Sequence, residues 1–257
     1  MVYERRGQGP TVVLLHGWCL SHALWLYEED LLAADHDVIT PDLPGFGRSD
    51  GMPGPHDMAS YSRAVRGVLD DLDITQAVLV GFAFGAAVAM QVAADNPSRL
   101  AGAVLIGVPS ASRFPAQAMA RSIRRDWPDF AHRSASVLCG PRHSEATRRW
   151  LEEMYRSTPL ISALQGADLL GTFEPAPLAR QLRIPVCYVH GVDDTVIPAS
   201  VALDCAAAST IENRVELIED CGHLVVLDQR NVLHSVIQSF VEQVHATTHP
   251  QTSEAGP

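Results

Sequence analysis

Short apolar runs alternate along this chain with longer stretches in which apolar residues recur at helical spacing. Thr11–Leu15, Val38–Thr40, Gln76–Val80, Ala101–Val108, Ile184–His190 and Val215–Ile218 are rich in β-branched and aliphatic residues and too short for stable helices. Ala23–Ala33, Met58–Leu72, Phe84–Asp95, Val201–Ala208 and Leu224–His245 read as helices. In the last of these, Val226, Val232, Ile237 and Phe240 predict one apolar face, which Leu233 and Val236 widen. Strand and helix in regular alternation predict an α/β fold, a mostly parallel sheet with crossover helices on both faces.

The alternation stops between about Pro109 and Pro185. That stretch carries Pro115, Pro128, Pro141, Pro159, Pro175 and Pro177 among short amphipathic pieces, none of them strongly strand-like. It predicts a helical cap inserted after the strand that ends near Val108. The expected organisation is a core of residues 1–108 and 179–245, a cap of residues 109–178, and a disordered tail, 246–257, made largely of Thr, Pro, Ser and Gly.

Composition narrows the function classes. With 257 residues, 47% hydrophobic and a mean hydropathy of +0.05, the chain can bury a full core. No apolar run approaches the roughly 18 residues of a membrane span, and the polar, charged opening Met1–Pro10 is unlike a signal peptide. Cys19, Cys139, Cys187, Cys205 and Cys221 are odd in number and form no C-x-x-C pair. They are expected to be reduced and mostly buried, which predicts a cytoplasmic address and neither a disulfide framework nor a zinc site. A net charge of −11 argues against nucleic acid as a partner.

That charge is unevenly spread. From Arg113 to Arg156, nine arginines face five acids, so this segment is positive by four and the remainder stands at −15. The chain has no lysine. Guanidinium forks suit carboxylates and phosphates, so Arg121, Arg124, Arg125, Arg148 and Arg149 are candidates for docking an anionic substrate, such as an acyl chain on acyl carrier protein or coenzyme A. The competing reading is local: Arg148 and Arg149 lie three and four positions from Glu145 and Glu152, where helical ion pairs form.

The candidate chemistry lies at the carboxyl ends of the predicted strands. Gly81-Phe82-Ala83-Phe84-Gly85 links the run Gln76–Val80 to the helix after it. It has the frame of a G-x-S-x-G nucleophile elbow, with alanine where the serine belongs. His190-Gly191-Val192-Asp193-Asp194-Thr195-Val196-Ile197-Pro198 follows a later strand, and Asp220-Cys221-Gly222-His223 follows the last. Leu15-His16-Gly17-Trp18 follows the first. His16 and His190, each before glycine at a strand end, read as structural.

These residues, together with Asp42-Leu43-Pro44-Gly45-Phe46-Gly47-Arg48-Ser49, resemble the α/β-hydrolase superfamily over nearly the whole chain outside the cap. The opening is similar to the pimeloyl-acyl-carrier-protein methyl ester carboxylesterases and related serine esterases. The resemblance implies an α/β-hydrolase fold and places the nucleophile at Ala83, the acid at Asp194 and the base at His223, with Asp193 the second candidate acid. It places oxyanion-hole N–H groups at Trp18 and Phe84 and implies ester or thioester hydrolysis through an acyl-enzyme, with no metal or organic cofactor. Aspartate-nucleophile dehalogenases and epoxide hydrolases usually carry tryptophan after the nucleophile and proline two residues after the oxyanion-loop glycine. Here Phe84 and Cys19 stand there, leaving Tyr155 as the one cap phenol suited to epoxide activation.

Ala83 has three readings. It marks a serine hydrolase inactivated by a serine-to-alanine change, or a lyase or cyclase that uses His223 without a covalent nucleophile, or a binder that lost the chemistry. The otherwise complete set of Asp194, His223, Trp18 and Phe84 favours the first.

Overall fold

The computed structural model describes residues 1–52 and 57–248. Seven strands form one sheet in the order β1-β3-β2-β4-β5-β6-β7. They are β1 (Tyr3–Arg6), β2 (Thr11–Leu15), β3 (Asp37–Pro41), β4 (Ala77–Phe82), β5 (Leu100–Ile106), β6 (Val186–Gly191) and β7 (Asn213–Ile218). Only β1 runs antiparallel; every other neighbouring pair is parallel. All residues of β2 to β6 are buried, as strands covered on both faces require.

The core helices are α1 (Leu26–Leu32), α2 (Met58–Asp71) and α3 (Phe84–Asp95). The inserted helices α4 (Ala116–Arg125), α5 (Trp127–Cys139), α6 (Glu145–Ser157) and α7 (Leu160–Leu170) follow β5. The chain closes with α8 (Pro175–Ala179), α9 (Ser200–Ala208), α10 (Val225–Asp228) and α11 (Arg230–Thr248). On one face α1 packs on α11; on the other, α2, α3, α8 and α9 pack in series. Within the insertion α5 packs on α6 and α4 on α7. Short α8 straddles the expected boundary at 178/179 and sits on core helices α3 and α9.

Three sequence expectations change. β1 was not expected, because Tyr-Glu-Arg-Arg has no apolar pattern; it is a charged edge strand, anchored by Arg5 Nε donating to Asp37 at 2.8 Å. The expected helix Leu224–His245 is two, α10 and α11, broken at Gln229: Val226 is buried on α10, while on α11 Val232 faces outward at 44% exposure and the buried stripe is Leu233, Ile237, Phe240, Val241 and Val244. That spacing keeps one helical face, whereas Val232 lies about 100° away from Leu233. Finally, α11 runs to Thr248, three residues into the expected tail; residues 249–257 lie outside the described residues.

The sheet delivers the loops to one place. Leu15 pairs with Gly81, Phe82 with Ile106 and Gly191 with Ile218, so β2, β4, β6 and β7 end near a common edge. Close approach of α3 to β2 depends on glycine: a Cβ on Gly85 would lie 2.2 Å from Leu15 O, and one on Gly81 would lie 2.4 Å from Gly85 O. Both obstacles are backbone atoms that cannot rotate away. Gly85→Ala is therefore expected to cost about 3 kcal/mol, the upper range for overpacking a tight core. Thermal and denaturant unfolding measure it; a wild-type midpoint would contradict this packing.

Candidate active site

The turn at Ala83 is strained. Its φ of 48° and ψ of −108° put a residue with a side chain in backbone space that favours glycine. Ala83 N–H donates to Ile106 O at 2.8 Å, and Ala83 O accepts from Ala86 and Ala87 N–H, so the conformation is held by β5 and α3. Between Ala77 and Met90, Ala83 is the one residue that is not buried. It lines a cavity of about 390 Å³ together with Trp18, Phe84 and His223.

Asp194 and His223 come together across the β6 and β7 loops. His223 Nδ1 lies 2.8 Å from Asp194 Oδ2. The other oxygen, Oδ1, accepts from Val196 and Ile197 N–H at 2.8 and 2.9 Å. His190 Nε2 lies 3.3 Å from Oδ2 and donates to Ile197 O at 2.8 Å. Burial pushes the Asp194 carboxyl up, but the His223 charge and hydrogen bonds from His190, His223 and Ile197 outweigh it and hold the group below its ordinary range. With Nδ1 engaged, Nε2 is the His223 nitrogen left for a bound molecule.

Asp193, the second candidate acid, points elsewhere: it is half-exposed and pairs with Arg142 of the inserted segment. His16 is structural, as read. Its Nε2 accepts from Leu43 N–H at 2.9 Å, so Nδ1 carries the proton and donates to Gly17 O at 2.8 Å. Burial lowers its pKa to about 4 and keeps it neutral. The Asp42–Ser49 motif supports the same loop. Buried Asp42 accepts from His22 N–H and Nδ1 at 2.8 and 2.9 Å and from Arg48 N–H at 3.1 Å.

The rings around the cavity form one apolar wall. Trp18 meets Phe114, Phe130 and Tyr155 edge to face at 5.9–6.0 Å and donates its indole N–H to Ala163 O. Phe84 is fully buried and packs on Tyr61 and Phe46. Burial raises the Tyr155 phenol well above its ordinary value. All five cysteines are buried and free.

The expected cap arginines are not at this cavity. Arg148 and Arg149 are engaged by Glu145, and Arg148 also by Glu152, so the local-pair reading holds for them. Arg121 and Arg124 line a separate groove with Gln165 and Asp168, and Arg125 lines another with Asp126 and Asp129. Burial dictates none of the three, and each lies on the exposed side of α4. The arginines that do line the cavity are Arg113 and Arg133, with Ser110, Ser122 and Ser134. One signal was available in the sequence: Phe130, Arg133, Ser134 and Val137 fall on one face of a helix.

A family model described as alpha/beta hydrolase fold matches residues 10–229. The chain belongs to the α/β-hydrolase family. Among curated relatives it is 29% identical over 266 residues to a pimeloyl-[acyl-carrier protein] methyl ester esterase of Aeromonas hydrophila, covering 93% of this chain and 98% of that one. It is also 29% identical to the dihydrolipoyllysine-residue acetyltransferase component of an acetoin cleaving system from Pseudomonas putida, covering 94% of this chain but only 66% of that protein. An esterase from Exiguobacterium antarcticum has the same fold, with a TM-score of 0.88, 21% identity and coverage of 93% and 94%. Among the described residues no helix is long and apolar enough to cross a membrane, and no group of three or more His, Cys, Asp or Glu is arranged to hold a metal ion.

Proposed function

We propose that this α/β-hydrolase is a carboxylic ester or thioester hydrolase scaffold whose nucleophile position is occupied by alanine. The observation that carries this reading is the strained, cavity-facing Ala83 beside an intact Asp194–His223 pair. In a serine form, His223 Nε2 would take the hydroxyl proton and return it to the leaving group. Asp194 would hold the imidazole tautomer and stabilise the imidazolium. Backbone N–H groups of Trp18 and Phe84 would stabilise the oxyanion; Phe84 opens α3, where the first N–H groups have no acceptor within the helix.

With Ala83 the cycle stops before acylation, and the cavity binds an ester without turning it over. Its apolar wall suits an aliphatic acyl chain. Arg113 and Arg133, which also line the cavity, suit an anionic group on the substrate, the role first expected of the other cap arginines. Arg133 is held by exposed Asp129 at 2.9 Å and by Ser122 Oγ at 2.9 Å. An exposed pair of that kind contributes little and exchanges readily for a substrate carboxylate.

The chain as it stands allows a direct test, since bound ester is not consumed. Dimethyl suberate and monomethyl suberate are titrated while tryptophan fluorescence is followed. Both are expected to bind, the half-ester about tenfold more tightly, roughly one charge-assisted contact. Arg113→Gln with Arg133→Gln should erase that preference and spare the diester. Binding of neither ester would refute the ester-site reading, whereas equal binding of both would refute only the arginine assignment.

A further inference from the structure

Two consecutive residues of the inserted segment reach both loops that carry the Asp194–His223 pair. Arg142 donates to Asp220 O at 2.9 Å and pairs with the Asp193 carboxylate beside Asp194. His143 places Nε2 2.8 Å from Asp228 Oδ1, a close approach of two buried atoms whose angle is not that of a hydrogen bond. The second oxygen of Asp228 accepts from Gly222 N–H at 2.7 Å, one residue before His223. Asp193 N–H donates to Cys221 O at 2.8 Å, so the two loops are also joined to each other.

We propose that Asp228 is a positioning residue for His223, and that Arg142 and His143 form a latch that ties the imidazole's placement to the seating of the inserted helices. Only the catalytic consequence rests on reading His223 as the general base; the mechanical claim stands on these distances.

Burial gives the contacts their leverage. The Asp228 side chain is 4% exposed and that of His143 12%, so water does not compete effectively for either. A backbone N–H bonded to a carboxylate is shorter and stronger than one bonded to a neutral acceptor. Burial pushes the Asp228 carboxyl up, yet His143 and Gly222 N–H hold it below its ordinary value. Asp220, which accepts from Arg142, sits at a φ of 50°, so the turn into the histidine loop is held in an unfavourable conformation by its neighbours. The latch sits at the junction of α5 and α6. Displacing that junction releases the β6 and β7 loops together.

Nuclear magnetic resonance on the full chain tests this without any ester. The readouts are hydrogen exchange at the Gly222 amide and the imidazole signals of His223. Asp228→Ala is expected to raise Gly222 exchange about tenfold or more and to shift the His223 signals. Asp228→Asn, which keeps an oxygen acceptor, should restore much of both. Arg142→Gln with His143→Gln should move the same signals with Asp228 intact, and amides in the middle of α11 should not respond. Wild-type Gly222 exchange and His223 signals in the Asp228 variants would overturn the positioning role, even if the melting temperature fell. The same result in the double variant would overturn the latch. Should Asp228→Ala fail to fold, Asp228→Asn and the double variant decide both points.

Discussion

Ala83→Ser is expected to turn this chain into an active esterase, with a gain in kcat of roughly 10⁶-fold, the amount that loss of the serine costs a comparable Ser–His–Asp hydrolase. The size follows from what is already in place. Ala83 has a Cβ on the turn, in the strained conformation a nucleophile there requires, and it faces the cavity with His223. Serine adds one oxygen and no new branch, so the turn need not change. On the proposed reading, His223, held by Asp194 at 2.8 Å, would serve as the base. Short-chain p-nitrophenyl esters and acyl thioesters measure the gain. An Ala83→Ser protein that folds and stays as slow as the parent would place the chemistry elsewhere, in favour of a lyase, a cyclase or a binder.

Asp194→Asn, made together with Ala83→Ser, is expected to remove about 10⁴-fold of that activity, as neutralising the acid does in other Ser–His–Asp sites. Asparagine keeps the shape but presents an amide donor or a weaker acceptor to His223 Nδ1. The preferred tautomer then no longer leaves Nε2 free to accept the serine proton, and the imidazolium loses its counter-charge. Asp193→Asn should change the rate far less, because that carboxylate pairs with Arg142. Stability responds to pH with a definite sign. The folded-state pKa of Asp194 is depressed, so its contribution is present above the unfolded value of about 3.9 and is lost as the pH falls through the folded one. Acid unfolding of the Asp194→Asn protein should therefore show a shallower dependence on pH below about 4 than that of the parent. Equal rates for the two asparagine variants would contradict the choice of Asp194.

The inner strands β2 to β6 were legible because both faces of the sheet are covered there, which favours aliphatic runs; Thr11–Leu15 agrees residue for residue with β2. The meeting of Asp194 and His223 was legible because both sit in loops at fixed places after β6 and β7 and carry their own spacing signals. β1 was not, since an edge strand needs pairing partners and not burial. The cavity's arginines were hidden for a different reason. Exposure does not separate Arg133 from Arg125, since both are exposed cap residues; the one local hint is that Arg133 shares a helical face with Phe130, Ser134 and Val137, and the packing of α5 over Trp18 turns that face to the cavity. Asp228 carries no signal in the sequence, because the contact that marks it comes from His143, 85 positions earlier in the chain.

The most direct measurement is covalent labelling of the Ala83→Ser protein with a fluorophosphonate, read by intact mass and peptide mapping. A single adduct on the introduced serine is predicted, absent from the parent chain and strongly slowed by His223→Ala. No adduct on that serine in a folded protein, or labelling that ignores His223, would contradict the assignment of position 83 as the vacant seat of a nucleophile.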